Sequence, residues 1–93
     1  MKKNYVYILT NKPRGVLYIG VTSNLYSRLD KHQNTQEKSF VKKYKLVKLV
    51  YAEEFNSIVE AIAREKQLKN WQRQWKIELI EKDNPNWEDW SKE

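Results

Sequence analysis

Two apolar runs near the start of the chain, Tyr5-Val6-Tyr7-Ile8-Leu9 and Val16-Leu17-Tyr18-Ile19-Gly20, constrain the fold more than any other feature. Each has the length and composition of a strand, and Thr10-Asn11-Lys12-Pro13-Arg14-Gly15 between them supplies the Pro and Gly of a hairpin loop. The expected strands are 4–10 and 15–21. Alternation places Tyr5, Tyr7 and Leu9 on one face, with Val6 and Ile8 on the other. In the second strand Val16, Tyr18 and Gly20 share a face, opposite Leu17, Ile19 and Val21. The aliphatic face should meet the main core. Tyr7 and Tyr18 then meet on the other face, where Gly20 leaves room for a substrate or another backbone to approach. Tyrosine is also an ordinary strand former, so the pair alone does not establish a site.

Downstream, Thr22-Ser23-Asn24 offers helix caps, and Leu25, Tyr26 and Leu29 begin a helical pattern to about His32. Gln33 to Lys43 is polar and basic, expected as helix end and loop. Lys45 to Phe55 contains Leu46-Val47-Lys48-Leu49-Val50-Tyr51, a third strand rich in β-formers. From Ser57 the period is helical again, with Ile58, Ala61, Ile62 and Leu68 on one side, and Ser57 with Glu60 matches a capping box. A second helical stretch covers 73–82 after a break near Asn70. Asn84-Pro85 ends it, and Asn84 is placed to cap a short terminal turn holding Trp87 and Trp90. The order β-β-α-β-α-α implies an α/β fold, a three-stranded, mainly antiparallel sheet flanked by helices.

Ninety-three residues suffice for one core and not for two, and four Trp, six Tyr and two Phe can supply much of the buried area. No cysteine is present, which excludes disulfides and thiolate metal sites. Neither a signal-type apolar run nor a bilayer-spanning stretch is visible, so a soluble, cytoplasmic protein with no membrane partner is expected. The net charge of +6 is uneven: residues 1–50 carry eleven Lys/Arg against two acids, residues 51–93 seven against ten. A basic excess confined to one half is what a footprint on a polyanion requires, although a solvated face produces one as well.

Three residues carry the chemistry. At a helical pitch His32 falls about 20° from Leu25, and Arg28 about 60° from it on the same side, so both border the apolar stripe. An inward-facing arginine needs an anion, either a protein carboxylate or a ligand phosphate. Glu65 falls about 20° from Ile58, inside the stripe of Ala61, Ile62 and Leu68. A carboxylate there is costly unless a cation balances it. Arg28 or Lys69 would make a structural ion pair. A divalent metal would make a catalytic site, since Mg²⁺ needs only one or two carboxylates when water and phosphate oxygens complete its shell. Periodicity does not choose between them. Lys66, Lys69, Arg73 and Lys76 recur at helical spacing; if the helix continues they form one basic stripe able to track a phosphate backbone.

Together these residues resemble the GIY-YIG nuclease superfamily. The first motif stands here as Tyr5-Val6-Tyr7, with Tyr5 in place of the usual first Gly, and the second is intact as Tyr18-Ile19-Gly20. Thr22-Ser23-Asn24-Leu25, Arg28 and His32 resemble the family's first helix, and Ala63-Arg64-Glu65-Lys66-Gln67-Leu68-Lys69-Asn70-Trp71 its glutamate-bearing helix. The likeness covers nearly the whole chain, 1–93, as a single nuclease domain. It is greatest to small stand-alone bacterial members, similar in fold to the N-terminal nuclease domain of the repair protein UvrC.

The resemblance implies a DNA endonuclease using one divalent cation, Mg²⁺ or Mn²⁺. It implies Glu65 as metal ligand, Arg28 as clamp on the scissile phosphate, and Tyr7 as general base. Tyr18 would position water or phosphate, and His32 would assist the tyrosine or hold phosphate. A tyrosine base needs nearby positive charge, because its free pKa is about 10. The family's late asparagine has two candidates, Asn84 and Asn86. With little surface beyond the active-site face, low sequence specificity is expected, on branched or single-stranded DNA, with a partner protein or a homodimer as possible help. The alternative, from another class, is a nucleic-acid-binding module that keeps the fold without turnover; it would not need Glu65.

Overall fold

The first strand of the sequence is the middle strand of the sheet. The computed structural model describes residues 3–25 and 48–91. Within them β1 (Asn4–Thr10) pairs antiparallel with both β2 (Leu17–Thr22) and β3 (Lys48–Phe55), in the order β2-β1-β3. Two helices follow, α1 (Ile58–Asn70) and α2 (Arg73–Asp83). The expected helix from Leu25 to His32, with Arg28 and His32, lies outside the described residues apart from Leu25. So do the segment Gln33 to Lys43 and the start of the third strand, Lys45 to Val47.

Central placement explains why β1 is apolar on both sides: Val6, Tyr7, Ile8 and Leu9 are all buried. Chain length predicts a single core, but the two faces of the sheet given by the alternation carry separate clusters of buried residues, one large and one small. Val6, Ile8 and Ile19 pack with Ala61 and Leu68 of α1 and Ile77 and Ile80 of α2. Tyr7 and Leu9 pack on the opposite face with Leu49, Val16, Tyr18, Leu25 and Trp90.

Strand β3 departs from simple alternation. Ile8 stands opposite Tyr51 but Leu9 opposite Leu49, so Val50 is the extra residue of a β-bulge. Val50 and Tyr51, though adjacent, therefore both enter the larger core, while Leu49 enters the smaller. The C-terminal segment covers this edge. Asp89 Oδ1 accepts from Leu49 N at 3.1 Å, Trp90 N donates to Leu49 O at 2.7 Å, and Asn84 Nδ2 donates to Val50 O at 3.1 Å. Three backbone groups at the start of this strand, which would otherwise be open to pairing with another chain, are thus satisfied internally.

Ser57 caps α1 as expected, its Oγ accepting from Val59 N and Glu60 N. The break between helices falls at Trp71–Gln72, both of extended conformation. Trp87 is buried and Trp90 is half-buried against the smaller core, whereas Trp75, 49% exposed, is the one that faces outward. Among the described residues no helix is long and apolar enough to cross a membrane.

Candidate active site

Tyr7 and Gly20 are directly paired across β1 and β2, so their substituents share a face. The Tyr7 ring lies over Gly20 with its phenol end closest: a Cβ built on Gly20 would lie 2.5 Å from both Cζ and the hydroxyl oxygen. Only a residue without a side chain permits this approach. Tyr18 stands beside it on the same face, half-buried, with ring centroids 6.3 Å apart and planes tilted by 44°. The hairpin thus brings two phenols together at β2, an edge strand. Arg28 and His32 lie outside the described residues.

Glu65 sits on the sheet side of α1, between the fully buried Ala61 and Leu68, and its side chain is 16% exposed. Its balancing cation among the described residues is Lys69, whose Nζ lies 3.1 Å from Oε2; the lysine side chain is 53% exposed. An ion pair this open to water holds the carboxylate weakly. No described group pairs with Oε1, which leaves a hard oxygen donor of the type Mg²⁺ and Mn²⁺ take, so the residue fits a divalent cation. Among the described residues no three His, Cys, Asp or Glu side chains cluster, and Glu65 is the carboxylate that would hold such an ion, with water and phosphate oxygens able to complete its shell. The helix packs against the Val6, Ile8 and Ile19 face and the tyrosines occupy the other. Strand β2, which α1 contacts and over which the Tyr7 hydroxyl lies, is the element common to both.

The four cations at helical spacing do not share one helix. Lys66 and Lys69 belong to α1 and are exposed; Arg73 and Lys76 belong to α2, beyond the break. Arg73 Nη2 donates to the carbonyl oxygens of Arg14 and, at 2.7 Å, of Gly15, so it fastens the hairpin loop to α2. The same loop is held by Arg14, whose Nε lies 3.0 Å from Glu81 Oε2. Hydrogen bonds from Arg14 and from Trp87 Nε1 hold the Glu81 carboxyl below the usual carboxylate range.

One constellation escaped the sequence reading: it joins Tyr51, Glu53, Arg64, Gln67 and Trp71. Arg64 Nε and Nη2 donate to the two carboxylate oxygens of Glu53 at 2.9 and 3.0 Å, and Nη1 donates to Gln67 at 2.7 Å. The guanidinium carbon lies 5.2 Å from the Trp71 ring centroid, and the Tyr51 hydroxyl donates to Glu53. Burial alone would push Glu53 up, but the bonds from Arg64 and Tyr51 outweigh it and hold its pKa below the usual range. Burial first, and then the bond to Glu53, push the Tyr51 phenol well above the usual tyrosine range. Asn84, 3% exposed, caps the terminal turn as expected: its Nδ2 donates to the carbonyls of Val50 and Glu88 and its Oδ1 accepts from Glu88 N. Asn86 is exposed. The only sequence signal for the Glu53–Arg64 pair was a charge in each of two half-buried elements; their meeting depends on how α1 lies on β3.

Residues 3–78 match the family model of the GIY-YIG catalytic domain. A UPF0213 protein of Staphylococcus saprophyticus is 40% identical over 80 residues, 86% of this chain and 96% of that protein. One from Syntrophus aciditrophicus is 40% identical over 86 residues, 91% of this chain and 97% of that protein. The solution NMR structure of a UPF0213 protein from Bacillus halodurans matches with a TM-score of 0.59 at 28% identity, over 94% of this chain and 92% of that one.

Proposed function

Because this chain belongs to the GIY-YIG catalytic domain family, a family of nucleases, we propose that it is a divalent-metal-dependent DNA endonuclease of low sequence specificity, acting in DNA repair or processing. The observation that carries the reading is the placement of the Tyr7 phenol over Gly20 beside Tyr18, a buried hydroxyl delivered to an edge strand. Packing of this kind holds an oxygen in place, as a base for an attacking water requires.

In this reading the Tyr7 phenolate takes a proton from water, whose oxygen attacks the phosphorus while the P–O bond to the departing oxygen breaks. Tyr18 orients that water or the phosphate. Arg28 pairs with the phosphate and, with its charge, favours the phenolate; His32 assists at the same site. Glu65 holds the cation, Mg²⁺ or Mn²⁺. When bound, that ion supplies charge stabilisation for the departing oxyanion.

The test is incubation of purified protein with supercoiled plasmid and with branched or single-stranded DNA, with Mg²⁺, with Mn²⁺ and with chelator, alongside Tyr7→Phe and Glu65→Ala. Metal-dependent nicking by the wild type, lost in both variants, is the expected result. One observation favours a second reading, a nucleic-acid-binding module without turnover: the Glu65 carboxylate already has an ion-pair partner in Lys69. Salt-sensitive DNA binding with no cleavage of any substrate would select it.

A further inference from the structure

Helix α1 is anchored to the sheet by remarkably little apolar surface for its length. Of its thirteen residues Ala61 and Leu68 are the buried ones, and Ala61 contributes a single methyl group. Ile58, Val59 and Ile62 are exposed by 43%, 72% and 37%. An amphipathic helix ordinarily buries three to four residues in every two turns. A seam this narrow resists sliding but gives little resistance to rolling about the helix axis.

Among the described residues, Arg64 supplies that resistance. Its guanidinium makes two parallel bonds to Glu53, at 2.9 and 3.0 Å, a geometry that fixes both the distance and the plane of the group. Both side chains are largely enclosed, at 23% and 20% exposure. Gln67 and the Trp71 ring hold the guanidinium from within its own segment. Glu53 is on β3, paired with the central strand opposite Val6, and the Tyr51 hydroxyl bonds its carboxylate as well. The fork therefore ties the angular setting of α1 to the sheet.

Arg64 is the residue immediately before Glu65, and a helix transmits a fixed rotation from one residue to the next. We infer that the Glu53–Arg64 fork is a positioning device that sets the direction of the Glu65 carboxylate. The inference rests on Glu65 being the cation ligand of the proposed reaction. A helix with side chains has a radius of about 5–6 Å, so a roll of about 20° moves a side-chain tip by about 2 Å. Misplacement by about 1 Å at a reacting centre can cost about a hundredfold in rate.

Arg64→Lys keeps the charge but cannot make the fork, and Glu53→Gln keeps the shape but loses the charge-assisted bonds. Each is compared with wild type by thermal melting, by calorimetric titration with Mn²⁺ in the absence of DNA, and by cleavage kinetics well below the melting temperature. The expected result is a folded protein whose Mn²⁺ affinity and kcat both fall by about tenfold or more, with the KM for DNA unchanged. A purely structural clamp would lower the melting temperature and leave Mn²⁺ affinity and kcat at wild-type values, which would overturn the inference. Wild-type protein that shows no Mn²⁺ binding sensitive to Glu65→Gln would instead overturn the ligand assignment of Glu65, and this inference with it. The titration thus separates the two failures.

Discussion

A methyl group on Gly20 would lie 2.5 Å from both Cζ and the hydroxyl oxygen of Tyr7, a residue only 1% exposed. Gly20→Ala therefore displaces the phenol or parts the strands. Overpacking of this kind costs about 1–3 kcal/mol. That corresponds to a melting temperature lower by roughly 5–20 °C, measured by calorimetry. Cleavage assayed well below that temperature should fall by about tenfold or more. Tyr7→Phe should be the converse: a stability change near 1 kcal/mol with cleavage abolished.

Glu65→Gln removes the charge without changing the shape. Its exposed partner Lys69 limits the stability effect to about 1 kcal/mol or less. Cleavage should fall at least about a hundredfold, beyond the 10- to 100-fold typical of losing an outer partner of a metal site. Mn²⁺ should raise the wild-type melting temperature by mass action and leave that of Glu65→Gln unchanged.

Lys66 and Arg73 should respond differently to substitution, although both belong to the same expected basic stripe. Lys66 is exposed, so Lys66→Ala should lower the salt dependence of DNA binding by about 0.7–0.9 in slope if it contacts a phosphate. Arg73 donates to the Arg14 and Gly15 carbonyls, so Arg73→Ala should loosen the hairpin loop. Hydrogen exchange at Gly15 N, which bonds Lys12 O, reports that loosening.

Asn84→Ala strips a buried side chain that bonds Val50 O, Glu88 O and Glu88 N. Leaving the bulge carbonyl unpaired costs about 1–3 kcal/mol, with the lost turn cap adding about 1 kcal/mol. Denaturant titration should show a lower midpoint with an unchanged slope.

Acid and alkali should act through one network. The Glu53 pKa is lower in the folded than in the unfolded chain, so its contribution is complete above the unfolded value of about 4.3 and is lost as pH falls through the folded one. The Tyr51 pKa is raised on folding, so its contribution is complete below the unfolded value of about 10 and declines as pH rises above it. Melts of wild type and Glu53→Gln should therefore converge as pH falls through the folded Glu53 pKa and diverge near neutrality.

Local pattern alone determined much of this protein. Alternation in Tyr5-Val6-Tyr7-Ile8-Leu9 and Val16-Leu17-Tyr18-Ile19-Gly20 separated the two cores and placed Tyr7, Tyr18 and Gly20 together, because a strand sends successive side chains to opposite faces whatever lies beyond them. Helical period likewise put Glu65 on the buried side of α1, and Ser57 marked where that helix starts. Only the tertiary structure decided which strand is central, that Val50 bulges and needs Asn84, that Trp75 rather than Trp87 faces outward, and that Arg64 forks onto Glu53. Those outcomes depend on distances between segments far apart in the chain. A residue's neighbours along the chain fix its direction, but its partners are fixed only when helices and strands come to rest against each other.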